Sequence, residues 1–403
     1  MTAPGSPDAG GWATWIDDQC RLIDAAGQWR APRAFDAAGP EGLLAVVAGQ
    51  APDTPVVSFA SNDYLGLSQH PDAIAAAIDA TQRWGTGAGA ARLVVGARSL
   101  HQELEHELAA WRGTEAALLF PTGFAANLGV LTTFGPPGVR IISDELNHAS
   151  IIDGARLARA SVSVYRHGDV ADLALGLAAA TAEGSRTIVV TDTVFSMDGD
   201  AAPLGDIVEL CLRHRSMLVV DEAHDVFGDV LRDPAGADLL HTEGLDVLRV
   251  GTLSKTLGSL GGFVAGSTRA VELLVNRARS FIFTTASTPA DTAAARANLA
   301  VARGPEGDQR KATLRAHIER LCPGHPSPII PVIVGDERDA VAASAALLAR
   351  GLLVPAIRPP TVAPGTSRLR IALSAAHTDA QVDHLVDALT DLALLPRHDA
   401  TIA

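Results

Sequence analysis

The chain has 403 residues, 47% hydrophobic and 19% charged, enough apolar material for one large and one small domain and too much for a disordered chain. A net charge of −14 excludes a general phosphate-backbone binder, which needs a basic surface to release counterions, though not a local anion site. The three cysteines, Cys20, Cys211 and Cys322, form no C-x-x-C pair, so a reducing cytoplasm is expected, and Cys211 within "IVELCLRHR" reads as core.

Taken in chain order, "MTAPGSPDAGG" is small, polar and Pro/Gly-rich and reads as a tail, not a signal peptide. With a helical segment it makes up a leading region over residues 1–55. No apolar run approaches the ~20 residues of a membrane helix. A large domain is expected over residues 56–290. In it "SLHQELEHELAAW" predicts an amphipathic helix, with Leu100, Leu104, Leu108 and Trp111 on one face and Ser99 with Gln102 at capping-box spacing. The runs "AALLF", "VRIIS", "TIVVTD", "MLVVD", "VLRVGTL" and "GGFVAGS" follow, several of them separated by helix-like segments such as "PLGDIVELCLRHR", with Pro203 suited to a first helical position. Short Val/Ile/Leu runs between helices predict an α/β fold with a mostly parallel sheet covered on both faces. Residues 291–403 are expected to supply a connecting helix, "TPADTAAARANLAVARG", and a smaller C-terminal α/β domain. Its strands are "IIPVIVG", "LLVPAIR" and "SRLRIAL".

Near the middle, "MLVVDEAHDVFGD" brings Asp221, Glu222, His224 and Asp225 together after an apolar run. A nucleic-acid motor needs a G-x-x-x-x-G-K-[ST] loop, and neither lysine of the chain follows a glycine: Lys255 follows Ser254 and Lys311 follows Arg310. No H-E-x-x-H or Cys/His cluster supports a metal site. Against a merely solvated turn, Asp221 stands at the C-terminal end of a predicted buried strand, where open α/β sheets bind ligands.

Only two of the 32 basic residues are lysine, and arginine cannot serve as a free amine. Lys311 in "GDQRKATLR" reads as an exposed helix residue, whereas Lys255 lies in a Ser/Thr/Gly loop. Pyridoxal phosphate needs a lysine for its aldehyde, a carboxylate for its pyridine nitrogen, a flat group over its ring and helix N-terminal amides for its phosphate. Lys255, Asp221, His148 and the Gly123–Phe124 start of a helix offer these in turn. His224, three residues past Asp221, can bond the phenolic oxygen. Singly each has a bland reading: "TGF" as a turn, "GTGAGAARLVVG" as a loop, and lone histidines such as His70 and His101 as structural or exposed. The joint arrangement carries the inference.

The segments "SNDYLGLSQHP", "GTGAGAARLVVGARSLHQELE", "LNHASIIDG", "VVTDTVFSMDGDAAPL", "VVDEAH", "TLSKTLGSLGG" and "SRLRIALSAAH" closely resemble the α-oxoamine synthases, fold-type I pyridoxal-phosphate enzymes, over three quarters of the chain. The resemblance implies that Lys255 anchors the coenzyme and transfers the proton, with Asp221 on the pyridine nitrogen, His224 on the phenolic oxygen and His148 over the ring. Gly123, Phe124, Ser196 and Thr252 would contact the cofactor, chiefly its phosphate. It further implies a homodimer in which Thr284 or Thr285 reaches the neighbour's phosphate. Arg370 would clamp the amino-acid carboxylate, Thr361 and Asn62 would meet substrate, and Arg30 would contact the acyl group. "AIRPPTVAPGTSRLRIALSAAH" is most similar to the branch that joins L-alanine to a pimeloyl thioester, of coenzyme A or acyl carrier protein, in biotin synthesis. The rivals are a sibling synthase using glycine or serine and a non-catalytic partner subunit. Two departures stand out: Asp225 and Phe227 replace small residues, with a reshaped cofactor loop or acyl channel as the expectation, and Ala90–Ala91 replaces a frequent Gly-Ser pair.

Overall fold

The computed structural model describes residues 11–45 and 54–395; the expected tail at residues 1–10 and the last stretch, 396–403, lie outside them. Helix α1 (Trp12–Ala25) leads into the antiparallel strands β1 (Phe35–Ala37), β2 (Glu41–Leu44) and β3 (Thr54–Ser58), where the sequence reading expects no strand. Helix α2 (Pro71–Trp84) starts with proline at a first-turn position and with His70 accepting from Asp72 N, so His70 is a cap. A π-helical turn (Arg92–Gly96) precedes α3 (Ser99–Arg112). The capping box there is not the expected Ser99–Gln102 pair. Arg98 is the cap, and buried His101 receives its backbone N–H at 3.0 Å.

The central sheet is then laid down as β4 (Ala116–Phe120), α4 (Gly123–Phe134), β5 (Val139–Asp144), α5 (Ala149–Leu157), β6 (Ser161–Tyr165), α6 (Val170–Ala182), β7 (Arg186–Asp192), α7 (Leu204–His214), β8 (Met217–Asp221), β9 (Val247–Thr252) and β10 (Gly262–Gly266). Among the described residues its order is β4-β10-β9-β8-β7-β5-β6, with β6, β5, β7, β8 and β9 parallel and β10 antiparallel to both neighbours. Period-two alternation divides each strand between two cores. Ile141, Val190 and Val219 pack with Val130 and Ile151 of α4 and α5, while Ile142, Val189 and Leu218 pack with Leu177 and Ile207 of α6 and α7. Each such buried side chain contributes about 1.5–3 kcal/mol. Pro203 caps α7 and does not open it, and Cys211 is core, as expected.

Helices α8 (Thr268–Arg277), α9 (Arg279–Ile282), α10 (Pro289–Ala302) and α11 (Pro305–Leu321) lead to the C-terminal part: β11 (Ile329–Gly335), α12 (Glu337–Leu348), β12 (Leu352–Leu353), β13 (Ala356–Ile357), β14 (Ser367–Ala372) and α13 (Asp379–Asp391). The expected strand "LLVPAIR" is split. Pro355 has no N–H to give a ladder, so β12 pairs in parallel with β3 while β13 joins β14 and β11.

Candidate active site

The parallel strands stop at one edge, and a polar residue stands at each stop. Asp192 ends β7, Asp221 ends β8, Thr252 ends β9, and His148 follows β5 as the cap of α5. They surround a cavity of about 160 Å³, with Gly123, Phe124, His224 and Lys255 also in its wall. This is the crevice at the carboxyl ends of the strands that the topology makes available to ligands.

Asp221 is 6% exposed and makes no ion pair among the described residues. Its partners are neutral: Asn127 Nδ2 donates to Oδ2 at 2.6 Å and the Ala223 N–H to Oδ1 at 2.9 Å. A buried carboxylate without a cation suits a ligand that brings a protonated nitrogen. Lys255 Nζ lies 2.7 Å from His224 Nε2. Burial lowers the Lys255 amine, Asp221 and Asp192 raise it, and Arg370 lowers it, with a downward net effect that favours a free amine. Burial likewise holds His224 well below its ordinary value, helped by Lys255, Arg370 and His148. His224 Nδ1 meets Tyr64 Oη at 2.7 Å.

His148 is placed by both its backbone and its ring. Its N–H donates to Asp192 Oδ2 at 2.9 Å, and Nδ1 lies 2.7 Å from Ser150 Oγ. Burial lowers its pKa, Asp221 opposes this and Lys255 adds to it. Burial, then Asp221, pushes Asp192 well above the usual carboxylate range.

At the other end of the cavity Gly123 and Phe124 open α4, with the first N–H groups of the helix free of intrahelical partners, and Thr122 caps the helix through Ala125 N at 3.0 Å. A Cβ at Gly262 would stand 2.5 Å from Gly123 N, so this anion-ready turn requires glycine on the neighbouring strand. Thr252 Oγ1 donates to Gly261 O at 3.0 Å and accepts from Ser254 N at 3.1 Å.

Arg370 approaches from β14. Its Nε donates to the Ser196 carbonyl at 2.6 Å and Nη2 to Asn62 Oδ1 at 3.2 Å, so Arg370, Ser196 and Asn62 form one cluster beside Lys255. Four expected residues are not brought to the cavity of their own chain. Thr284 and Thr285 lie on a separate small recess with Arg92, Phe281 and Ser287. Arg30 and Thr361 are exposed, although the Thr361 loop touches the segment before Arg30 through Arg358 Nη1, which donates to Gly27 O at 2.6 Å. Lys311, half-buried in α11, pairs with Asp308.

Of the two departures, the Asp225–Phe227 pair lies off the cavity. Asp225 is buried beside the cluster in which Glu222 pairs with Arg112 at 2.9 Å and with Arg249. Burial raises Asp225 to about 6, with Arg112 opposing. Phe227 packs against the core beneath Arg315, 4.0 Å from the ring centroid. Neither lines the cavity. Ala90 accepts the Ala286 N–H through its backbone at 3.1 Å, which needs no hydroxyl.

Sequence reasoning missed Tyr64, Asn127, Ser150 and Asp192. Asn127 gave one signal, a lone polar residue on the buried face of "FAANLGVL". Its Oδ1 is buried without a hydrogen-bond partner among the described residues. Among the described residues no group of three His, Cys, Asp or Glu could hold a metal, and no helix is long and apolar enough to cross a membrane. Pyridoxal phosphate fits the donor set: a lysine of lowered pKa, a buried carboxylate lacking a cation, an imidazole in the wall and a helix start.

The family model described as aminotransferase class I and II matches residues 54–389. The 8-amino-7-oxononanoate synthase of Anaeromyxobacter dehalogenans is 48% identical, covering 96% of this chain and 97% of its own. The protein of that name in Cupriavidus necator is 47% identical, over 85% and 88% of the two chains. A serine palmitoyltransferase from S. paucimobilis, solved with a pyridoxal phosphate–myriocin adduct bound, superposes with a TM-score of 0.83 at 29% identity, over 94% of this chain and 96% of that one.

Proposed function

The chain belongs to the class I and II aminotransferase family, together with the 8-amino-7-oxononanoate synthases, and from that premise we propose that it condenses L-alanine with a pimeloyl thioester. The products are 8-amino-7-oxononanoate, carbon dioxide and a free thiol, a step of biotin synthesis. The enzyme is pyridoxal-phosphate dependent. The observation that carries the reading is Lys255 sharing one cavity with a buried Asp221 that makes no ion pair among the described residues.

When bound, the coenzyme supplies an electron sink for the α-carbon of the amino acid. Lys255 would hold its aldehyde, and its Nζ would take and return the α-proton, with burial lowering the amine from its ordinary value toward that task. Asp221 keeps the pyridine nitrogen protonated, and Asn127 and the Ala223 N–H fix the direction of the carboxylate. His148 would supply the flat group for the coenzyme's ring, and His224 would meet its phenolic oxygen. The Gly123–Phe124 amides and Thr252 would hold the phosphate, whereas Ser196 lies with Arg370 and Asn62. Arg370 binds the alanine carboxylate with its planar fork, steadied by Asn62. Thr361 and Arg30 receive the acyl thioester from the loops that Arg358 joins.

A homodimer completes the site in this reading. Leu93, Val94 and Val95 are 55%, 72% and 66% exposed, and Phe283 is 69% exposed. This apolar surface carries Thr285 toward a neighbour's phosphate. A cytoplasmic location is supported by three unpaired cysteines. The chain divides in this reading into a leading region (1–55), a coenzyme domain (56–290) and a small domain (291–403), and the β12–β3 pairing, Leu352 with Val57 and Leu353 with Ser58, ties the small domain to the coenzyme domain.

An amine-by-thioester screen tests the function. Alanine with pimeloyl thioester is expected to give the fastest release of thiol. Fastest release with glycine and an acetyl thioester would assign a sibling activity, and no turnover without any coenzyme absorbance would indicate a non-catalytic subunit.

A further inference from the structure

Tyr64, in "SNDYLGL", has no part in the reaction outlined above, yet it is fully buried beside His224. Its hydroxyl lies 3.0 Å from Asn62 Oδ1 and 2.7 Å from His224 Nδ1. Asn62 Oδ1 also accepts from Arg370 Nη2 at 3.2 Å. A guanidinium only donates, so turning the Asn62 amide would set donor against donor. An amide oxygen has no proton to give. The single phenolic proton therefore goes to Asn62, and burial, which pushes Tyr64 up to about 12, keeps it on the phenol. Toward His224 the same hydroxyl can only accept, so the ring must carry its proton on Nδ1. With its pKa held well below the ordinary value the ring is neutral, which leaves Nε2 bare. Nε2 faces Lys255 Nζ at 2.7 Å. Donation runs from Lys255 to His224 to Tyr64 to Asn62, where Arg370 arrives from the other side.

We propose that Tyr64 is a positioning residue that sets the tautomer of His224, so that Nε2 offers Lys255, and any coenzyme hydroxyl bound there, an acceptor and not a donor. The part concerning Lys255 stands on the chain's own contacts; the part concerning the coenzyme rests on the function proposed above.

The test is nitrogen-15 spectroscopy on histidine-labelled protein, coenzyme-loaded and stripped, with His224→Gln assigning the signal among the 13 histidines. The wild type is expected to show Nδ1–H. Tyr64→Phe keeps the ring but removes the acceptor; it is expected to move the signal to Nε2–H and to slow coenzyme capture at Lys255 about fivefold, the factor one hydrogen bond supplies. Asn62→Asp keeps an acceptor oxygen and is expected to retain Nδ1–H. A wild-type Nε2–H signal, or an Nδ1–H signal that survives Tyr64→Phe, overturns the proposal. If Tyr64→Phe does not fold, the wild-type tautomer still decides. No substrate enters this measurement, so its failure is separable from a failure of alanine–thioester turnover.

Discussion

Asp221 and Lys255 draw their chemistry from being out of water: the carboxylate makes no ion pair among the described residues, and burial lowers the amine from its ordinary value. Asp221→Asn tests the first. The new amide nitrogen would oppose Asn127 Nδ2, but the Asn127 oxygen, buried without a partner, can rotate to meet it. The variant is therefore expected to fold and to bind coenzyme. Its exchange of the alanine α-proton with solvent should fall about 10²–10³-fold, the scale of losing one preorganised electrostatic partner. Unchanged exchange would remove Asp221 from the electron-sink role. At this scale the sequence was legible where a residue's meaning is local, as with Asp221 after "MLVV". It was silent where meaning comes from folding: Tyr64 meets His224 across 160 residues, and Asn127 meets Asp221 across 94.

Between residue and molecule, the loop after β7 shows how an element is held in place. It carries Ser196, whose carbonyl fixes Arg370. Asp200 in that loop and Asp144 at the end of β5 each lie 2.9 Å from a ring nitrogen of His167, so both nitrogens donate and the ring is an imidazolium. Burial lowers His167, but the two carboxylates outweigh it and raise the ring from 6.5 to about 10. A histidine with a raised folded pKa contributes its full stability below the unfolded value and loses it as pH rises through the folded value. The gap in thermal midpoint between wild type and His167→Gln should thus be widest below about pH 6.5 and close above about pH 10. A gap that stays flat across that window would contradict the clamp. Elements, too, were partly legible. Continuous apolar runs gave the inner strands, but edge strand β6 reads "SVSVY" and leaves three of its five residues exposed, a pattern too polar to stand out. Pro355 broke one expected strand into two that serve different sheets.

For the whole molecule, the parallel order of strands mattered more than any single motif. Five strands, delivered by helices on both faces, end along one edge, and only there could residues 148, 192, 221 and 252 converge. The alternation of apolar runs and helices made that edge legible; a single sequence could not say which exposed apolar surface a second copy covers. Val94→Asp places a charge on the proposed dimer surface. It is expected to give a monomer by light scattering and to weaken coenzyme binding, since Thr285 would no longer reach a neighbour. A dimer of unchanged mass would reject that surface. The central claim, that this edge is a pyridoxal-phosphate site built on one amine, has a more direct test. The purified protein is mixed with pyridoxal phosphate, reduced with borohydride and digested, and the modified residue is mapped. Modification at Lys255 is the expected result; modification at Lys311, or at no lysine, would contradict the account.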